Sequence, residues 1–183
     1  RGLGDVYKRQ ILFRAFTDGS WEDTIALKDN GGITSEIYSF PRVKAIEDGI
    51  FAAWIKDLGG EIIEATYSTD EGETWSEPTE IEPGSSHYLI YDYDFVVQDD
   101  GTIHLVWSSI KESSDSYYNV FYQKSEDFGL SWNDEVQVSA VDSESSIGAR
   151  VSSSGSNIYV SWEQYDSDAS IYKTEFSLSL IHI

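Results

Sequence analysis

Two octapeptides, STDEGETW at Ser68–Trp75 and SEDFGLSW at Ser125–Trp132, share the pattern S-x-D-x-G-x-[ST]-W, and TDGSW at Thr17–Trp21 is a contracted relative. Each is polar and turn-rich, yet each ends on a tryptophan. The pattern reads as a tight turn between two strands. Asp70 and Asp127 can accept hydrogen bonds from amides of their own loop, Gly72 and Gly129 can take a positive φ, and the tryptophan can fold back as an apolar plug between neighbouring sheets. Ser68, Asp70, Gly72, Thr74 and Trp75, like Ser125, Asp127, Gly129, Ser131 and Trp132, are structural residues in this reading, and the carboxylates are not catalytic.

The tryptophans extend the pattern outward. Trp21, Trp75 and Trp132 are spaced by 54 and 57 residues, and a second set, Trp54, Trp107 and Trp162, by 53 and 55. Two interleaved sets with one period mean a repeat of about 55 residues. Around the second set, PRVKAIEDGIFAAW, YDFVVQDDGTIHLVW and ARVSSSGSNIYVSW each place an alternating run, a turn and a second alternating run ending in tryptophan, the signature of a β-hairpin. A third β-rich run follows (GEIIEATYS, YYNVFYQKS, ASIYKTEFS), then the polar turn, then a short fourth run. No apolar pattern recurs every three to four residues, so helix is nearly absent. The expectation is an all-β chain, a partial β-propeller of four-stranded antiparallel blades with strands A to D. Strands C and D of a first blade fall at 11–29, a second blade at 40–82, a third at 92–139, and strands A to C of a fourth at 147–177.

The two ends stand outside the repeat. DVYKRQ (Asp5–Gln10) can be encoded by a sequence whose reverse complement reads LSLIHI, the last six residues, Leu178–Ile183. This resembles an inverted transposon end used to fragment DNA for sequencing, so 1–10 and 178–183 are expected to be an artefactual leader and tail around a metagenomic fragment. The chain also has no methionine, as an internal piece of a longer reading frame would. A piece cut from a closed ring would expose the apolar flanks of its outer blades, around Phe13 and Trp162, and would fold poorly or associate.

The formal charge is −21, and −23 with Arg1, Lys8, Arg9 and Asp5 set aside; such a surface repels nucleic acid and anionic membrane. With 14% aromatic and 40% hydrophobic residues the chain packs a core and is not an acidic tail. Absence of cysteine excludes disulfides and thiolate metal sites, and His87 and His104 are in no ligand spacing, so zinc is not expected. The acidic loops DSDAS, KESSDS and VDSESS offer oxygen ligands without the twelve-residue calcium spacing; a solvated acidic face is the better reading, and no cofactor is expected.

The repeated turns resemble the Asp box, or bacterial neuraminidase repeat, of the sialidase superfamily, and the resemblance spans Ile11–Ser177. It implies a six-bladed parent at the cell surface or outside the cell. It also implies one of two functions: a module that binds a glycan or a protein, or an exo-sialidase or other glycoside hydrolase. In an up-and-down blade the A–B and C–D connections emerge on one face, the B–C loops and the starts of the A strands on the other. Arg42 and Arg150 each lie twelve residues before a repeat tryptophan, at the start of strand A, and Phe95 holds that phase in the blade between. These two arginines, with Tyr91, Tyr93 and Asp94 beside Phe95 and Glu163 in a B–C loop, are the ligand-binding candidates.

Sialidases clamp a substrate carboxylate with three arginines, whose planar forks meet it with two bonds, and pair a tyrosine nucleophile with a glutamate. Outside the leader this chain has Arg14, Arg42 and Arg150, and FPRV at Phe40–Val43 only loosely matches the family's start motif. An arginine at one fixed phase also suits a strut between blades, and no catalytic residue is assigned from the sequence. The tyrosine-rich loop at 88–93 suits sugar or protein contact through rigid aromatic area. The binding module is therefore the first reading and the hydrolase the alternative.

Overall fold

Alternating runs rich in β-branched and aromatic residues, punctuated by glycine turns, pair as antiparallel strands. The computed structural model describes residues 10–31, 36–81, 87–112, 115–140 and 143–177; apart from Gln10, the expected leader and tail lie outside the described residues. In chain order come β1 (Gln10–Phe13), β2 (Phe16–Thr17), β3 (Ser20–Trp21) and β4 (Ile25–Asp29), then β5 (Ile37–Ile46), β6 (Gly49–Asp57), β7 (Glu61–Ser68) and β8 (Thr79–Ile81). The third repeat holds β9 (Leu89–Val97), β10 (Ile103–Ile110), β11 (Asn119–Ser125) and β12 (Val136–Gln137), and the fourth β13 (Ser146–Ser154), β14 (Asn157–Asp166) and β15 (Ile171–Ser177). Two four-stranded antiparallel sheets run β5-β6-β7-β8 and β9-β10-β11-β12, a three-stranded one runs β13-β14-β15, and β1 pairs with β4. The strands fall into two units, 1–81 and 82–183.

In the first unit Gln10 opens β1 and donates from Nε2 to Asp29 Oδ2 at 2.8 Å, so the leader expected at 1–10 overlaps the sheet by this residue. Asp18 and Gly19, both at positive φ (48° and 83°), make the two-residue turn between β2 and β3. Trp21 of that hairpin is 60% exposed and touches Phe16 edge-on at 5.3 Å. It is no plug, because the contracted motif turns it outward. Trp75 is half-buried with its ring 4.9 Å from that of Phe13 in β1, and so does pack on a neighbouring sheet. Beneath lie Ile11, Tyr38 and Trp54 with Leu27 against them. In the second unit Tyr93, Phe95 and Trp107 are fully buried, and Trp162, 8% exposed, packs with Val106, Val120 and Ala149. Each such side chain contributes roughly 1.5–3 kcal/mol by leaving water. Trp162 is thus covered by the β9–β12 sheet and Phe13 partly by Trp75, so neither side chain is itself the exposed flank the sequence suggests.

The two repeated turns are built alike, residue for residue. Ser68 Oγ donates to Asp70 Oδ1 (2.8 Å) and accepts from Gly72 N (2.9 Å); Asp70 accepts from Thr74 N (2.9 Å) and Thr74 Oγ1 (2.5 Å). Ser125, Asp127, Gly129 and Ser131 repeat these bonds at 2.8, 2.8, 2.8 and 2.5 Å. Gly72 and Gly129 have φ of 91° and 88°, each preceded by a residue also at positive φ. Trp75 and Trp132 return their Nε1 protons to the carbonyls of those glycines. Hydrogen bonds from the Thr74 hydroxyl and amide hold the Asp70 carboxyl below the usual range. At Asp127 burial pushes upward, and the bonds from Ser131 and Ser125 bring the carboxyl below its ordinary value.

A bulge interrupts the first strand of each sheet near its start: between Ser39 and Arg42 in β5, at Tyr91 in β9, and between Ile147 and Arg150 in β13. Beyond it Arg42 faces Ala53, Arg150 faces Ser161 and Asp94 faces Val106, each partner being the residue before a repeat tryptophan. The residue equivalent to the two arginines is therefore Asp94, not Phe95. Counting back from the tryptophan misplaces it by one, because Gln98 pairs with Thr102 around a three-residue turn where the other two hairpins turn in two.

Candidate functional site

The second unit gathers tyrosines at one end, where β9 and β13 begin and where β10 meets β11 and β14 meets β15. Because Tyr91 is the bulged residue of β9, its neighbours Ile90 and Asp92 keep the ladder and its own side chain turns outward, 52% exposed. Its ring lies 5.5 Å from that of Tyr118, edge to face. Tyr88, Tyr117 and Tyr172 are also exposed, and Tyr172 lies 5.1 Å from Tyr165 across the β14–β15 pair. The two sheets are joined here by backbone. Ser146 N donates to Tyr118 O at 2.8 Å, and Tyr118 N donates to Ser145 Oγ at 3.3 Å.

A buried chain of polar groups fixes the approach to β9. His87 Nδ1 lies 2.5 Å from Ser109 Oγ and Nε2 lies 2.6 Å from Glu135 Oε2, while Lys111 Nζ donates to Glu135 Oε1 at 2.9 Å. Serine, histidine and carboxylate follow in the order of a hydrolytic triad, but Ser109 is wholly buried and no substrate reaches it. The chain acts as a strut that holds the tyrosine loop to its sheet.

The predicted ligand residues separate here. Arg150 is half-exposed, and its Nη1 donates to Asp92 Oδ2 at 2.7 Å and to Ala149 O at 2.6 Å. Asp94 is buried and accepts from Val151 N at 3.2 Å. Tyr93 is a core residue opposite Trp107, so Tyr93 and Asp94 are withdrawn from ligand contact: along a strand alternate residues face opposite sides, and theirs are both packed. Glu163 is exposed in β14 beside Gly148, which takes a φ of 72°. Arg42 belongs to the other unit, where it lines a cleft of about 250 Å³ with Arg14, Leu12 and Val43. Arg14 itself donates to Glu22 O at 2.6 Å and sits 5.7 Å from the Trp21 ring.

Asp92, Tyr117, Tyr118, Tyr165 and Tyr172 were not singled out by sequence. Asp92 carried a signal, since it lies two residues from Asp94 on one strand and shares its face. The acidic loop at 166–170 is satisfied from within: Asp166 Oδ1 accepts from Ala169 N, and Lys173 pairs with Oδ2. Among the described residues no group of three metal-ligating side chains comes together. Among the described residues no helix is long and apolar enough to cross a membrane.

At the opposite end of this unit a polar cleft of about 690 Å³ is lined by His104, Tyr122, Asp99, Asp100 and Lys124 among others. Burial lowers His104 to about 4 and raises Tyr122 to about 12; His104 Nδ1 lies 2.8 Å from the Tyr122 hydroxyl. Both groups are neutral near pH 7.

No protein-family model matches the chain, and no curated protein matches it in sequence. Solved structures do. A Hadza microbial sialidase superposes with a TM-score of 0.60 at 19% identity, over 93% of this chain and 38% of that one. In fold the chain is all-β and similar to part of that propeller-type glycosidase. The Penicillium chrysogenum α-L-arabinanase, solved with arabinobiose, matches at a TM-score of 0.58 and 14% identity over 90% of this chain and 52% of its own. A polysaccharide lyase matches at 0.50 and 12%, over 94% and 53%. The chain thus spans about half the length of these structures or less.

Proposed function

We propose that this propeller chain is part of an extracellular carbohydrate-binding protein that engages glycan through the tyrosine-bearing end of its second unit, and that its two repeated turns are Asp boxes with a purely structural task. The observation that carries the proposal is the set of exposed tyrosines at one end of the unit, Tyr91 and Tyr172 on strands and Tyr88 and Tyr117 just before strands, where Ser146 N bonds to Tyr118 O across the two sheets. A phenol ring offers a rigid apolar face to a pyranose or furanose and a hydroxyl at its rim, at little entropic cost. The three similar structures are a sialidase, an arabinanase crystallised with its disaccharide and a polysaccharide lyase, which supports a carbohydrate as the ligand class.

The alternative, an exo-sialidase or other glycoside hydrolase, has the same fold similarity in its favour. Arg150, the one arginine of this unit, is engaged by Asp92, and this weighs against a carboxylate clamp here. Binding to a panel of plant and animal oligosaccharides tests the proposal. Tyr91→Ala should weaken the bound glycan by about five- to tenfold without moving the melting temperature. Unchanged affinity in both Tyr91→Ala and Tyr172→Ala, or a protein ligand in place of a glycan, would overturn it.

A further inference from the structure

The cations at the tyrosine-bearing end of the second unit are already engaged. Arg150 Nη1 holds Asp92 Oδ2 at 2.7 Å, Lys111 Nζ holds Glu135 Oε1 at 2.9 Å, and Lys173 pairs with Asp166. Exposed Glu163 adds negative charge beside the start of β13, in a chain whose formal charge is −21. A sugar carboxylate arriving here would have to displace an internal carboxylate from its cation while facing further acids. The cost of that exchange falls on the anionic ligand alone, since a neutral sugar asks nothing of the guanidinium beyond a single hydrogen bond.

Asp92 holds the decisive position. It projects from β9 to the arginine of β13, its side chain is 15% exposed, and its other oxygen, Oδ1, is buried without a hydrogen-bond partner among the described residues. A carboxylate with one buried oxygen left unsatisfied is a costly way to build a strut. We infer that the ligand of this face is an uncharged glycan, and that Asp92 is the specificity-determining residue that excludes acidic sugars by occupying Arg150. The inference rests on the glycan reading above and adds the ligand's charge class.

Matched neutral and acidic probes test it: galactotriose against trigalacturonate, and lactose against sialyllactose, titrated into the unaltered chain, Asp92→Asn and Asp92→Ala. Melting curves establish that each variant is folded, and the second variant stands in should one fail. The expected result is a preference of the unaltered chain for the neutral member of a pair by about tenfold or more. Freeing Arg150 should then raise affinity for the acidic member by about tenfold, leave the neutral one unchanged, and lose the gain when Arg150→Gln is added. Acidic probes bound by the unaltered chain as tightly as neutral ones would overturn the inference and leave the glycan reading standing. A neutral preference that both Asp92 variants keep unaltered would remove Asp92 from the role. If the unaltered chain and both variants bind none of the four probes, both the inference and the glycan reading fail.

Discussion

A serine hydroxyl is the hub of each repeated turn. Ser68 Oγ takes the amide of buried Gly72 at 2.9 Å while donating to Asp70, which anchors the far side of the loop, and Ser125 does the same for Gly129. Ser68→Ala strands the Gly72 amide and should cost ~1–3 kcal/mol, read from urea unfolding; Ser68→Thr, which keeps the hydroxyl, should recover much of it. His104 sets a second expectation. Burial keeps it neutral down to about pH 4, whereas the unfolded chain takes a proton below its ordinary value near 6.5. Stability should be at its plateau above that value and fall as pH drops from 6.5 toward 4, by roughly 3 kcal/mol in the limit. His104→Gln, compared over that range, should show a flatter acid limb; parallel curves for the two proteins would contradict this assignment.

At the scale of strands, the repeat keeps its tryptophan and changes what the indole meets. Trp54 donates from Nε1 to Glu64 Oε2 at 2.8 Å, and Glu64, 2% exposed, also holds Lys28 of β4 at 3.0 Å and Lys56 of β6 at 3.6 Å. In the next sheet Phe121 stands where Glu64 does, and Trp107 has no acceptor for Nε1 among the described residues. One carboxylate thus ties β4, β6 and β7 together. Glu64→Ala removes the counter-charge of two lysines and the acceptor of a buried indole, and should lower stability by ~3–5 kcal/mol. Glu64→Gln retains the indole acceptor and should cost less. Equal losses for the two would mean that the ion pairs, not the indole, dominate.

For the chain as a whole, the exposed apolar surface of the first unit is the feature with a consequence. Leu12, Phe16, Trp21 and Val43 are each more than half exposed, and Leu12 and Val43 line one cleft. Apolar side chains grouped in this way favour association. Sedimentation velocity should show a concentration-dependent shift to larger species that Leu12→Ser with Val43→Ser suppresses; a monomer at all concentrations would refute the expectation.

Much of this architecture was legible in order. The tryptophan spacing, the alternation and the glycine turns determined strand count per repeat, strand sequence within each sheet and the bonding of the turns, because these depend on residues close together along the chain. The site was legible only in part. Tyr91, read as part of a loop, lies in β9 and turns outward at the bulge, its neighbour Tyr93 went into the core, and Asp94 took the rung assigned to Phe95, since a bulge and a three-residue turn each shift register by one and every one-residue shift reverses the face a side chain presents. The partner that Arg150 meets, Asp92, lies 58 residues away in sequence. Sequence by itself determined the repeat and the chemistry of its turns; only the tertiary structure decided which tyrosines meet solvent and which charges cancel, because both depend on sheets that pack through residues far apart in the chain.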